Sequence, residues 1–343
     1  MNYLSAINRL SAAPGPSGFE GAVARVALDM LSPLVGEAYL DRMGNVVGLR
    51  PCGKPGAKKV LLDAHLDEIG FIITGQEEGY LRFAPLGGVD PRMLPDRELT
   101  VLTDPPRLGV VACLPPHIQS REDMDKSQPI SELYLDLGLT EEEAKAIPIG
   151  TPAVYRTGCL ALGKDLLSGK ALDDRACFVL LLRALELLEG EELDVDLVVL
   201  GSTQEETHST GAITAAYGLR PDLCVAVDVT HGDSPDASKD KTFPLGKGPV
   251  IGLGPNCTKW ISDLMRRCAK EMDLNVQLEV MSGSSGTNGW PLQVSREGIA
   301  TGVLSLPLRY MHTPIETAHQ GDMEDTARLL AQFIRRVGKE GAL

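Results

Sequence analysis

The chain has 343 residues, more than one hydrophobic core usually organises, so two domains or one domain with a large insertion are expected. Its 47 acidic residues against 33 basic ones leave a formal charge of −14, which argues against nucleic acid and anionic membranes as partners. Seven scattered cysteines without a C-x-x-C pair, an amino terminus unlike a leader and no run of about 18 apolar residues point to a reduced, cytoplasmic, non-membrane protein.

Ser17-Gly18-Phe19-Glu20 has the form of a capping box, and Val23, Val26, Ala27, Met30 and Leu31 recur behind it at helical spacing, so the first helix is expected here. Residues 38–50 read as strands turned at Gly44-Asn45. The apolar run Val60-Leu61-Leu62 then ends in Asp63-Ala64-His65-Leu66-Asp67-Glu68. A buried strand that delivers an imidazole at its carboxyl end, with an acid two residues on to hold the other ring nitrogen, is how a metal-ligand histidine is oriented. From Ile69 to Cys159 the text changes to short β-rich runs (69–74, 80–84, 99–102 and 109–114) separated by Gly and Pro, with helical periodicity only over 131–146. The polar stretch Ser120–Gln128 inside it is expected to be a mobile loop. This region reads as a compact β domain inserted into an α/β framework, dividing the chain into 1–68, 69–159 and 160–343, and it carries no ligand candidate except His117. From Leu166 onward helices (174–188, 212–217, 258–272, near Gly289, 321–339) alternate with strands (195–201, 223–229, 276–280, 302–306), the pattern of a sheet covered by helices on both faces.

In an open α/β sheet the carboxyl ends of neighbouring strands converge on one crevice. Three strands after the one ending at His65 are followed by Glu205 and Glu206, by Asp228, and by His312, and Asp173 with Asp174 precede a helix. Each has an ordinary explanation when taken alone: acids at a helix start, an acidic surface loop, a histidine satisfied in a core or loop. Together, carboxylates gathered in one crevice repel one another unless a cation lies between them, so a metal site is expected. Glu205 and Glu206 are adjacent and point different ways, which lets one bind metal while the other moves a proton.

The segments Asp63-Ala64-His65-Leu66-Asp67-Glu68-Ile69-Gly70-Phe71, Lys170-Ala171-Leu172-Asp173-Asp174-Arg175, Gln204-Glu205-Glu206, Val227-Asp228-Val229-Thr230-His231 and Arg309-Tyr310-Met311-His312-Thr313-Pro314-Ile315-Glu316 resemble the successive motifs of the tetrahedral (TET) aminopeptidases, metallopeptidase family forty-two. The resemblance implies a phosphorylase/hydrolase-like three-layer α/β/α domain, an inserted PDZ-like β-barrel that mediates dimerisation, two divalent metal ions (zinc or cobalt), and six dimers assembled into a hollow dodecamer. It implies that Asp173 bridges the metals, that His65 and Asp228 complete one site and Glu206 and His312 the other, that Glu205 is the general base, and that Asp67 orients His65. The expected reaction is release of the amino-terminal residue from short peptides by a metal-bridging hydroxide. The chain departs from the family pattern at Thr207-His208-Ser209-Thr210, at Asp174 and at Gly286-Thr287-Asn288-Gly289, all in the expected surroundings of substrate and none a ligand. Rival readings are a metal-dependent deacylase or amidase acting on N-acyl amino acids and a non-catalytic metal-binding homologue. A glycosidase, a label some family members have carried, is disfavoured because these carboxylates serve better as ligands than as a pair facing a sugar.

Overall fold

The structure is a computed structural model that describes residues 1–119, 126–235 and 237–339; the expected loop at 120–128 falls mostly outside these. The chain opens with α1 (Tyr3–Ser11), α2 (Gly21–Leu31), β1 (Glu37–Leu40), β2 (Val46–Arg50) and β3 (Lys58–His65). It continues into β4 (Gly70–Glu77), β5 (Tyr80–Leu86), β6 (Glu98–Val101), β7 (Arg107–Ala112), β8 (Tyr134–Asp136), α3 (Glu141–Lys145) and β9 (Pro152–Tyr155). Then follow β10 (Leu160–Leu162), β11 (Leu166–Gly169), α4 (Leu172–Leu187), β12 (Val195–Ser202), α5 (Glu205–His208), α6 (Thr210–Leu219), β13 (Leu223–His231) and β14 (Val250–Leu253). The last elements are α7 (Lys259–Glu271), β15 (Gln277–Val280), α8 (Gly289–Gln293), β16 (Ala300–Arg309), β17 (Glu316–His319) and α9 (Gln320–Val337).

The large sheet runs β1-β2-β12-β3-β13-β16-β17-β11-β10, with β14 and β15 attached beside β16. Alternation along β3 shows why both faces need helices. Val60, Leu62 and Ala64 pack with α1, α2, α4, α7 and α9 in one core, whereas Leu61 points the other way and joins Ala212, Ala215 and Ala216 of α6 and Leu292 of α8. The result is the three-layer α/β/α arrangement. Helix α4 is apolar nearly all round and buried along its length, which is what a helix inside a core requires. Because β12, β13 and β16 run in the direction of β3, Ser202 stands opposite His65, and Asp228, two residues past the pairing of Ala226 with Asp63, comes level with it. One edge of the sheet therefore collects the ends of four strands.

The second body is a closed six-stranded barrel, β4-β5-β8-β7-β6-β9. Its core is separate from that of the sheet and centres on Phe71, which meets Phe83 and Tyr155 edge-on at 5.5 and 5.3 Å between ring centroids. Closure leaves no free barrel edge, so pairing with another subunit is not needed to cover the strands of this domain. The helix expected over 131–146 is mostly absent. Leu133, Leu135 and Leu137 instead alternate at strand spacing into the barrel, and only α3, with a true capping box between Thr140 and Glu143, is helical.

Two features of the amino-terminal region escape the pattern of the sequence. Helix α1 precedes the first expected helix, and the Ser17–Glu20 capping box does not cap α2: Ser17 Oγ lies 3.0 Å from Thr207 Oγ1, and Glu20 Oε1 accepts hydrogen bonds from Gly18 N (2.7 Å) and Gln204 N (3.1 Å). The motif instead ties this loop to the segment after β12. Deeper in, Arg175 is fully buried. Its guanidinium donates to the carbonyls of Leu66 (2.8 Å), Leu10 (2.9 Å) and Ala13 (2.8 Å) and to Glu68 Oε1 (3.1 Å), whose other oxygen accepts from Lys170 Nζ at 2.6 Å. Breaking such a network strands a charge. Arg175→Met is expected to lower unfolding stability by about 3–5 kcal/mol, read as a shifted urea midpoint, and a loss below about 1 kcal/mol would show that the network carries little.

Candidate metal centre

His65 ends β3 with its ring buried; Nδ1 meets the Asp67 carbonyl oxygen at 3.1 Å and the Asp67 carboxylate at 3.5 Å, and Nε2 faces Asp173 Oδ1 at 3.1 Å. Since a carbonyl only accepts, the Asp67 contact favours a proton on Nδ1 and leaves the Nε2 lone pair directed at the cleft. Asp67 also acts on the far side of the centre. Its two carboxylate oxygens accept from the backbone amides of Glu205 (3.0 Å) and Glu206 (3.1 Å), at the start of α5, so the same residue sets the imidazole and the two glutamates.

His312 reaches the centre from beyond β16, on a backbone with φ 62°, a conformation uncommon for a non-glycine residue and typical of positions fixed for function. Its Nε2 lies 3.3 Å from Asp173 Oδ2 and 3.2 Å from Glu206 Oε2, and its Nδ1 donates to Gly88 O at 2.9 Å. Asp173 thus stands between two imidazoles, one at each carboxylate oxygen. Gly88 belongs to the loop after β5, so the barrel, expected to lie apart from the chemistry, supplies an acceptor that orients a ring in the centre. A side chain is excluded there, because a Cβ on Gly88 would stand 2.8 Å from His312 Nδ1.

Glu316, at the head of β17 and buried, accepts from the backbone amides of Asp173 (3.1 Å) and His312 (2.9 Å). The sequence offered only a weak signal for it, an acid four residues after His312 at the start of a buried strand. Asp174 is likewise drawn in: its Oδ2 accepts from His65 N at 3.1 Å, its Oδ1 is buried without a hydrogen-bond partner, and a carboxylate oxygen of it lies within 4.8 Å of donor atoms of His65 and Asp228. His65, Asp173 and Glu206 form a second such group within the same 4.8 Å. His117 sits exposed on the turn Pro116–Ile118 and does not line the cleft.

The electrostatics show what this arrangement lacks. Burial, reinforced by neighbouring carboxylates, pushes Glu206, Asp174 and Asp228 well above the usual carboxylate range. Burial also raises Asp173, but hydrogen bonds from His312 and His65 outweigh it and hold that carboxyl low; burial opposes charge on both imidazoles, and Asp173 nonetheless raises them. No lysine or arginine lines the cleft of about 740 Å³ among the described residues. A set of buried oxygen and imidazole donors with one unpartnered carboxylate oxygen and no cationic side chain fits divalent metal ions.

A parallel-centred α/β/α sheet whose strand ends converge on such a donor set is an arrangement suited to metal-assisted hydrolysis. The family model for M42 glutamyl aminopeptidases matches residues 44–329. The chain is 34% identical over 340 residues to the lysyl aminopeptidase of Pyrococcus furiosus, covering 96% of each chain. Among solved structures it is similar to an aminopeptidase of the archaeon Desulfurococcus kamchatkensis, with a TM-score of 0.90, 33% identity and coverage of 97% and 94% of the two chains. It is also similar to a Pyrococcus horikoshii TET1 peptidase that can assemble into a tetrahedron or a large octahedral shell, with a TM-score of 0.84, 27% identity and coverage of 97% and 99%. The chain belongs to the M42 family of aminopeptidases, hydrolases that act on peptide bonds.

If Glu316 holds the backbones of Asp173 and His312 in place around a metal, its replacement should be felt as weaker metal binding. Glu316→Gln is expected to keep the fold and to lower metal affinity about 10- to 100-fold in a calorimetric titration. Wild-type affinity in a folded variant would remove Glu316 from the centre.

Proposed function

We propose that the chain is a dinuclear metal-dependent aminopeptidase of short peptides in which Glu205 is the general base. The observation that carries this reading is the state of Glu205. Its carboxylate is largely buried at the mouth of the centre, 3.9 Å from His65 Nε2, and accepts no hydrogen bond from a described residue, while burial and the neighbouring acids push it to about 7. A carboxylate beside the donor set and left unpartnered by the protein is free to take a proton from a water and to pass it on.

His65, Asp173, Glu206, Asp228 and His312 would hold two divalent ions, zinc or cobalt, with Asp173 shared between them. When bound, such ions polarise a substrate carbonyl and lower the pKa of water. The rest is done by the chain. Asp67, by fixing the amides of Glu205 and Glu206, turns one carboxylate toward the donor set and leaves the other facing substrate. Glu205 accepts the proton of the attacking water at Oε2 and delivers it to the departing amine nitrogen. Gly88 and Glu316 keep the ring and backbone of His312 from following the substrate out.

Glu205→Gln is expected to retain fold and bound metal and to lower turnover of aminoacyl chromogenic substrates by a factor on the order of 10² to 10⁴. Near-wild-type turnover in a metal-replete preparation would sink the assignment of the base.

We also propose that the barrel pairs subunits within a dodecameric shell and that the protein works in the cytoplasm. Seven cysteines free of disulfide partners support a reducing compartment. Support for assembly comes from apolar side chains left outward, Leu108 and Val110 on β7 of the barrel and Leu160 and Leu162 on β10 at the sheet edge, and from the shell-forming relative. Light scattering should report a species many times the 36.7 kDa chain mass, and a particle of that mass at micromolar concentration would exclude the shell.

A further inference from the structure

Five carboxylates line the catalytic cleft, and the metal centre with its base uses four of them: Asp173, Glu205, Glu206 and Asp228. The fifth is Glu279. It lies on β15, the strand attached to β14 at the side of the main sheet, where Gln277 and Glu279 point inward and Leu278 and Val280 outward. The side chain is half-buried beside the Thr230 hydroxyl and near the His231 imidazole, both of which favour its ionised form; no lysine or arginine forms an ion pair with it among the described residues.

We propose that Glu279 reads the side chain of the substrate's amino-terminal residue and selects a cationic one, lysine or arginine; this rests on the aminopeptidase reading. The position follows from strand geometry. Thr230 is two residues beyond Asp228 on β13, so the two side chains share a face and lie about 6–7 Å apart along the strand. A substrate whose first carbonyl is at the metal centre therefore directs its first side chain along β13 toward Thr230 and Glu279. Apolar side chains share the lining of this cleft with serines and threonines: Met281, Trp290 and Val294 are among them, and the last two are 48% and 58% exposed. The methylene stem of lysine or arginine covers that surface while its head meets the carboxylate, and the indole face adds attraction for a cation.

The energetics favour the same occupant. Burial already raises the Glu279 carboxyl above its ordinary range, which marks a charge incompletely paired by the protein itself. A substrate ammonium or guanidinium supplies the missing partner, a norleucine side chain fills the walls without doing so, and a glutamate places two carboxylates together.

Binding and turnover can be read separately. On metal-loaded Glu205→Gln protein at pH 8, calorimetry is expected to show L-lysinamide binding about tenfold or more tighter than L-norleucinamide, with the preference lost when Glu279→Gln is added. Equal binding of the two amides, or a preference that survives Glu279→Gln, overturns the proposal. In the catalytic background, the ratio of kcat/KM for lysyl over norleucyl p-nitroanilide should fall about tenfold in Glu279→Gln, and Glu279→Lys should shift selectivity toward glutamyl substrate. A lysyl preference that persists in Glu279→Lys likewise overturns it. Should the wild-type protein bind the amides selectively yet cleave no aminoacyl substrate, the aminopeptidase reading fails while the role of Glu279 stands.

Discussion

Everything at the catalytic edge depends on one buried carboxylate held by two cations. Glu68 follows the strand that delivers His65 and Asp67, and Lys170 and Arg175 flank the turn that delivers Asp173 and Asp174. Their contacts, 2.6 and 3.1 Å long, fasten the two segments directly behind the groups that face the cleft. A buried ion pair is seldom more stabilising than apolar side chains of the same volume, because desolvating the charges costs about as much as their attraction returns. What it supplies is geometry: an arginine with fixed donor directions, satisfied by four carbonyls as well as by Glu68, permits one arrangement of α1, β3 and α4 and few others.

In front of that anchor the charge balance reverses. Asp173, Asp174, Glu206 and Asp228 crowd around two imidazoles, with Glu316 behind them, and burial opposes their ionisation. The fold therefore tolerates electrostatic repulsion at the place where it works and keeps its compensated charges one layer deeper. Ions binding there relieve the repulsion, so metal occupancy and resistance to unfolding are expected to rise together.

How much of this the sequence disclosed follows from the range of each interaction. His65 was legible because an apolar strand that stops at a polar side chain is a local pattern, Asp228 because it breaks an apolar run inside β13, and Glu205 with Glu206 because they follow β12. The chain's departures at Thr207–Thr210 and Asn288 were visible too, and the structure shows what Asn288 does, since it donates to Asp63 Oδ2 and Ser202 Oγ beneath His65, at 2.8 and 2.9 Å. Gly88 was not legible as part of the centre, since it acts through a backbone oxygen 224 residues from its partner, and Glu316 was legible only as the last acid of the His312 segment, since it acts through backbone amides. The Ser17–Glu20 motif misled for a related reason. Its side chains have the composition of a helix cap but found tertiary partners after β12, and the strand spacing of Leu133, Leu135 and Leu137 was hidden by the helical residues that follow.

The hydrogen bond from His312 to Gly88 joins the two bodies of the protein through a single atom on each side. A displacement of the barrel from the sheet would tilt that imidazole, and an ion that fixed the imidazole would resist the displacement. Linkage makes the two effects equal in free energy: whatever barrel displacement takes from ion affinity, ion binding returns as stiffness of the joint between the bodies.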